Sequence, residues 1–393
     1  MFRVLPLSRS IPWFKSLGSD HRGSNKTIQG LFFLSVAAWL ALHCYRTPRM
    51  SVDLLSYAGN VALMEKKDAV LAHQSVYAET LTPHLRGTDG DGAPARILRR
   101  RVSDPFYAAT FLPYFSVKPL YVMTLGAVHR AGLSLTDTIR LVSALCYFGI
   151  GVLLWVYTRS LFSLLILLLP EVIELGQANG PDAMSVFLLL LGFWFLFVRS
   201  RDLGILPIIL SVWVRPENVI VAIAALVVMY FTERIKWKQA AALAFLSVFS
   251  FALISHFGYG WESLYYHTFL SGDPSAPPHF AWSNYRDALE KGLADLFSSP
   301  LPLYVLLAIA SFARCSDRST RTILGLGGFY FASRFLLFPS YEPRFYGLFF
   351  LCTVIAAVSV LSGGRHSGTH RLGQDEGPAP PGIGERSLQA PGA

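Results

Sequence analysis

Charge is what this sequence has least of. Asp, Glu, Lys and Arg make up 15% of its 393 residues, where a soluble domain carries about 25%, and that scarcity excludes an ordinary water-soluble globule. Cysteine is scarce too. Cys44, Cys146, Cys315 and Cys352 all sit in or beside apolar runs, with no CxxC pair and no His at metal spacing, so neither a disulfide framework nor a zinc site is expected. They read as small core residues. No repeat recurs at a fixed period, and no small-x-small cleavage site follows the first apolar run, which reads as an uncleaved anchor.

What is present is apolar. Hydrophobic residues are 53% and aromatics 14% of the chain, mean hydropathy is +0.43, and apolar runs separated by short charged clusters recur from residue 30 to residue 362. Runs of about 20 residues suit helices crossing a hydrocarbon core of about 30 Å. The chain therefore reads as an all-α polytopic membrane protein, of the cytoplasmic or inner membrane if it is bacterial. Its formal net charge of +9 then reflects cytoplasmic loops and anionic membrane lipid. Nucleic acid is not an expected partner.

Positive charge sets the expected topology. Residues 1–29 hold Arg3, Arg9, Lys15, Arg22 and Lys26, which puts the N-terminus in the cytoplasm, so the first helix, Gly30 to Tyr45, runs outward. Later basic clusters follow apolar runs at Arg159, at Arg199 and Arg201, at Arg234, Lys236 and Lys238, at Arg314, Arg318 and Arg321, and at Arg365 and Arg371. About ten transmembrane helices put all of them on the cytoplasmic side. The third of these, Leu161 to Ile173, is expected to be short and to close at Pro170.

That count makes residues 46–138 one long first external loop. Its apolar piece, Phe106 to Val128, is broken by Pro105, Pro113, Lys118 and Pro119 and reads as helices lying parallel to the membrane surface. A short crossing at Pro119 to Val128 would instead flip every later loop against the positive-inside rule. A second large external loop is expected at 256–300. The membrane domain spans 30–362, and the tail, 363–393, is rich in Gly, Pro, Ser and charge and is expected to be disordered and cytoplasmic.

Under this topology Asp53, Lys118, Asp182, Arg215, Glu217, His267, Glu342 and Arg344 fall on one external face. Singly, each has an ordinary reading: Asp53 as a helix cap, Arg215-Pro216-Glu217 as an interfacial ion pair, Asp182 after Pro181 as a first-turn acid, and His267 among tyrosines as a packing residue. Their order along the chain is more informative. Asp53 with Tyr57 just outside the first helix comes first, then Lys118-Pro119-Leu120-Tyr121, then Pro181-Asp182, then Arg215-Pro216-Glu217, and last Glu342-Pro343-Arg344-Phe345-Tyr346.

This succession resembles the C-type integral membrane glycosyltransferases, most closely the bacterial branch related to protein mannosyltransferases and lipid A aminoarabinose transferases. The resemblance covers roughly residues 30 to 362. It implies a GT-C-like fold whose first external loop carries membrane-parallel helices, and a polyprenyl-phosphate-linked sugar as donor. On that analogy Asp53 is the base that deprotonates or orients the acceptor and Asp182 is a second acid lining the site. Lys118, Arg215 and Arg344 would hold the lipid phosphate, with Tyr57, Tyr121, Glu217, His267 and Glu342 also binding substrate. Transfer by one direct displacement would invert the anomeric carbon.

The chain departs from the family pattern in three places. Asp53 is followed by Leu54 where many members have two adjacent acids, so no motif supports a divalent metal and no cofactor is expected. Lys118 stands where Arg is common, and Lys cannot make the bidentate fork. No soluble external domain follows the membrane part, and the acceptor, whether lipid, glycan or protein, is left open. Two other functions fit the composition: a transporter or flippase for a lipid-linked or small anionic substrate, and a non-catalytic protein of the same fold. A transporter would carry charges at mid-membrane on broken, repeated helices, whereas these charges cluster at helix ends.

Overall fold

Proline and glycine cut the apolar runs into helices of very different lengths. The computed structural model describes residues 24–49, 52–80, 99–269 and 281–362, and among them every regular element is helical. After α1 (Ser24–Arg46) come α2 (Val52–Lys66) and α3 (Ala69–Thr80). Three helices follow that each carry a proline in the first turn, where its missing N–H costs nothing: α4 (Pro105–Ala109), α5 (Leu112–Phe115) and α6 (Pro119–Arg130). Asp104 caps α4 by accepting from the backbone N–H groups of Phe106 and Tyr107, each at 3.0 Å.

The long α7 (Leu135–Thr158) starts at Ser134, whose hydroxyl accepts from the Asp137 N–H at 3.1 Å, and stops where Arg159 turns left-handed at φ 48°. The next run, expected as one short helix from Leu161 to Ile173, is two: α8 (Ser163–Leu167) and α9 (Pro170–Gln177). Leu169, held extended by the following proline at ψ 133°, makes the break. Then come α10 (Asp182–Phe193), extended by a π-turn at Trp194–Val198, α11 (Ile205–Val214), α12 (Val219–Phe231), α13 (Trp237–Ile254) and α14 (Gly260–Phe269). The chain finishes with α15 (Trp282–Ser298), α16 (Leu301–Arg314), α17 (Arg318–Leu337) and α18 (Gly347–Leu361).

The largest core gathers Phe33 and Leu40 of α1, Ile150 and Leu154 of α7, and side chains from α10, α12, α17 and α18. A second core, around Leu54, Tyr57, Tyr121 and Ile139, joins α2, α3 and α6 to the start of α7. A third joins α15 and α16 to α17 and α18 through Leu296, Leu301 and Phe350. Close approach of α10 to α11 depends on glycine at both ends of their connection. A Cβ on Gly204 would lie 2.5 Å from the Gly192 carbonyl oxygen.

Outward-facing positions are apolar as well. Phe245 and Phe249 of α13, Leu303, Leu306 and Ile309 of α16, and Leu31 and Phe32 of α1 are all exposed, an arrangement stable against lipid and costly against water. The segments Lys26–Arg46, Leu135–Thr158, Trp237–Ile254 and Pro343–Leu361 are long and apolar enough to cross a bilayer. Two more pairs qualify only if each bent pair is one span: Pro105–Phe115 with Pro119–Arg130, bent by 119°, and Trp282–Ser298 with Leu301–Arg314, bent by 74°. Asp182–Val198, Asp202–Val214 and Pro216–Phe231 are shorter apolar helices. The chain is thus a helical protein with four to six candidate spans by length and composition, fitting a membrane protein.

Candidate functional site

The site is built where several helices start or stop. Past the end of α1 the backbone pairs in parallel with the turn after α9: Arg49 N–H donates to the Gln177 carbonyl at 3.0 Å, and Asn179 Nδ2 donates to the Arg49 carbonyl at 2.8 Å. This ties the entry to α2, and with it Asp53 in the first turn, to the segment that leads into α10. Asp182 opens α10 directly after Pro181, where an acid meets the positive end of the helix dipole.

α11 ends because Pro216 forces Arg215 out of helical geometry, to φ −142°, ψ 107°. The Pro216–Asn218 turn is then fixed by Asn218, whose Nδ2 donates to Ser185 Oγ at 2.8 Å and to the Ser211 carbonyl at 3.0 Å. Arg215 is thereby aimed back at the start of α10.

The result is a continuous chain of charges. Arg215 donates to Asp182 through Nη2 and to Glu217 Oε1 through Nη1 at 2.7 Å. Glu217 Oε1 also accepts from Arg334 of α17. Arg344 lies 3.9 Å from Asp182 Oδ2 and 3.4 Å from Asp53 Oδ2, and its Nε donates to Glu342 Oε2 at 2.8 Å. The ring of Phe345 serves all three guanidiniums, with Arg215, Arg334 and Arg344 at 4.9, 4.5 and 5.0 Å from its centroid. Cation–π attraction holds like charges near one another that would otherwise separate.

Burial grades the cluster into a floor and a rim. Arg215, Glu217, Arg334 and Asp182 are buried, Asp182 with only 3% of its side chain exposed. At the rim Arg344 exposes 16%, Asp53 36% and Glu342 47% of their side chains. Asp182 Oδ2 accepts no hydrogen bond among the described residues, so the floor keeps an unused acceptor beneath the rim.

Lys118 and Tyr57 flank this cluster. Tyr57 lies one helical turn beyond Asp53 on α2, packed edge-on against Phe115 and Tyr121 at 5.1 and 5.0 Å, and Lys118 Nζ donates to its hydroxyl at 2.6 Å. Burial, followed by the positive charge of Arg215, pulls Lys118 down to about 8, against the opposing pull of Asp53, Glu217 and Asp182. Burial and the Asp53 charge push the Tyr57 phenol up, so it stays neutral.

The structure therefore brings together Asp53, Asp182, Arg215, Glu217, Glu342 and Arg344, with Lys118 and Tyr57 alongside. Tyr121 is fully buried behind Tyr57. His267 lies on α14, and its side chain falls outside the described residues. Arg334 is the member that sequence reasoning missed, while Phe345 stood in the last motif without a role of its own. Arg334 had a signal: an arginine deep in the run Phe329-Tyr330-Phe331-Ala332-Ser333-Arg334-Phe335-Leu336-Leu337 marks a paired or functional position by default.

The arrangement can hold an anion and move a proton. Arg344 and Lys118 present cations beside a carboxylate, Asp53, that is open enough to meet a second substrate. Among the described residues no three His, Cys, Asp or Glu side chains form a metal-holding group, and the four cysteines are unpaired thiols, Cys44, Cys315 and Cys352 being buried. The chain matches no family model, no curated protein and no solved structure.

Proposed function

We propose that this chain is a membrane glycosyltransferase that moves a sugar from a polyprenyl-phosphate-linked donor to an acceptor at the external face of the membrane. The observation that carries the reading is convergence. Asp53, Asp182, Arg215, Glu217, Glu342 and Arg344 lie hundreds of residues apart at the extremes, yet they share one network. In this reading the charged face is external and the basic loops and both termini are cytoplasmic. About ten crossings connect them: the four long spans, the bent pair Trp282–Ser298 with Leu301–Arg314, the three shorter apolar helices, α17, and α8 with α9 as one broken span.

The chemistry follows from the rim. The acceptor hydroxyl oxygen forms a bond to the anomeric carbon as the bond from that carbon to the donor phosphate oxygen breaks. The proton of the hydroxyl passes to Asp53, and the electron pair of the broken bond leaves on the polyprenyl phosphate. Arg344 and Lys118 stabilise that departing negative charge. Displacement in one step inverts the anomeric centre. The Asp182–Arg215–Glu217–Arg334 floor holds Arg344 from below, which makes Asp182 a positioning residue in this geometry.

Purified protein assayed against a panel of polyprenyl-phosphate sugars tests the reading. Sugar transfer by the native chain, abolished in Asp53→Asn while the variant stays folded and inserted, is the expected result. Undiminished transfer by that variant removes Asp53 as the base. Movement of an intact lipid-linked sugar across proteoliposomes without transfer would point to a flippase instead.

A further inference from the structure

A groove of about 980 Å³ opens between α12 and α17, away from the ion-pair cluster. One wall is a single face of α12, with Ile220, Ile223 and Val227, and the other is α17 around Gly325. A Cβ on Gly325 would meet nothing within 4 Å, so the absent side chain is part of what keeps the groove open. Polar groups gather at one end only, where Arg318 and Arg321 stand beside Ser316 and Thr322. Among the described residues neither arginine joins an ion pair, and Arg321 rests over the Phe312 ring at 4.9 Å.

The geometry of α17 places that end. Arg334 near its far end bonds Glu217, which precedes α12, so α12 and α17 run in opposite directions from the cluster. At 1.5 Å per residue, Arg321 and Arg318 lie about 20 and 24 Å along the axis from Arg334, most of the way across a hydrocarbon core of about 30 Å, and their long side chains reach further toward its edge. The cationic end therefore sits near the headgroup plane opposite the cluster.

We propose that this groove seats one anionic phospholipid of the leaflet opposite the ion-pair cluster. Its phosphate lies against Arg318 and Arg321, and an acyl chain runs along Ile220, Ile223 and Val227 past Gly325. Charge complementarity decides the occupant: an apolar trough in a bilayer fills with lipid tails, and two unpaired guanidiniums at its mouth select a headgroup carrying net negative charge. The site is independent of any sugar transfer.

The test uses the full chain in nanodiscs of phosphatidylcholine with a minority of phosphatidylglycerol, followed by native mass spectrometry of the released protein. The native protein is expected to retain phosphatidylglycerol in preference to phosphatidylcholine, and Arg318→Gln with Arg321→Gln to lower that preference about tenfold. Gly325→Trp, which leaves both arginines in place but fills the trough, is expected to lose the lipid as well. Absence of a headgroup preference in the native protein overturns the proposal without reference to any variant. Equal retention by both variants overturns it too, as does displacement of the phosphatidylglycerol by a short polyprenyl phosphate, which would assign the groove to a donor.

Discussion

Asp53 and Asp182 are the same side chain in opposite surroundings, and the difference predicts opposite phenotypes. Asp182 is enclosed and bound to Arg215, so Asp182→Asn leaves the buried floor, with Glu217 alone facing Arg215 and Arg334, one uncompensated positive charge. The expected loss is about 3–5 kcal/mol of stability, visible as a lower midpoint in thermal unfolding of the purified protein. Asp53, at the open rim and 3.4 Å from Arg344, carries far less of the structure. Asp53→Asn is expected to change the unfolding midpoint little while removing transfer.

Lys118 adds a pH signature at the same scale. Its ammonium, held near 8 against an ordinary 10.5, is a cation at neutral pH and becomes neutral as pH rises through about 8. Affinity for a phosphate-bearing lipid should therefore fall through that range in the native protein, and Lys118→Arg should abolish the inflection; a binding titration from pH 6 to 10 (a span of about four units around that value) reads both. The linked effect on stability has the other sign. Between about 8 and 10.5 the unfolded chain binds the extra proton, so this group's contribution to stability increases with pH there.

At the scale of elements, the α10–α11 hairpin carries Asp182 at one end and Arg215 at the other. The two helices touch most closely far from those residues, where a Cβ on Gly192 would lie 2.5 Å from Ile208 Cγ1 and 2.9 Å from the Gly204 carbonyl oxygen. Gly192→Val is expected to cost about 1–3 kcal/mol by overpacking and to weaken transfer through the Asp182–Arg215 bond, measured by thermal unfolding and initial rates side by side. Much at this scale was legible beforehand. The prolines at 105, 113 and 119 announced short broken helices, and Arg215-Pro216-Glu217 was readable as an ion pair. Within Leu161 to Ile173 the stop at Pro170 was legible but the restart there as α9 was not, because a proline that ends one helix can equally sit in the first turn of the next. Arg334 was hidden for another reason: it is the one charge in the apolar second half of α17, and its partner Glu217 is far away in sequence, so only the folded chain pairs them.

For the whole molecule, the apolar composition was enough to indicate a helical membrane protein, while the number of crossings rests on helices too short to decide by length alone. Accessibility decides it instead. Glu342 is a better probe than Asp182, which is buried in its ion pair. A membrane-impermeant thiol reagent applied to intact cells is expected to modify Glu342→Cys, and to modify Arg321→Cys only after the membrane is opened. The reverse pattern would invert the topology.

The site also has an order of manufacture. Asp182, Arg215 and Glu217 are synthesised well before α17, and without Arg334 those three side chains carry one more negative than positive charge in a place that folding seals from solvent. A nascent chain can close that floor at low cost only once α17 has delivered its arginine. Rim formation comes later still, since Arg344 leaves the ribosome after Asp53, Asp182 and Glu342, the carboxylates it meets. Charge balance thus acts as a completeness check during biogenesis: a chain arrested before residue 334 holds an uncompensated carboxylate, and membrane quality control would meet it as an open, unfinished bundle rather than a smaller working protein.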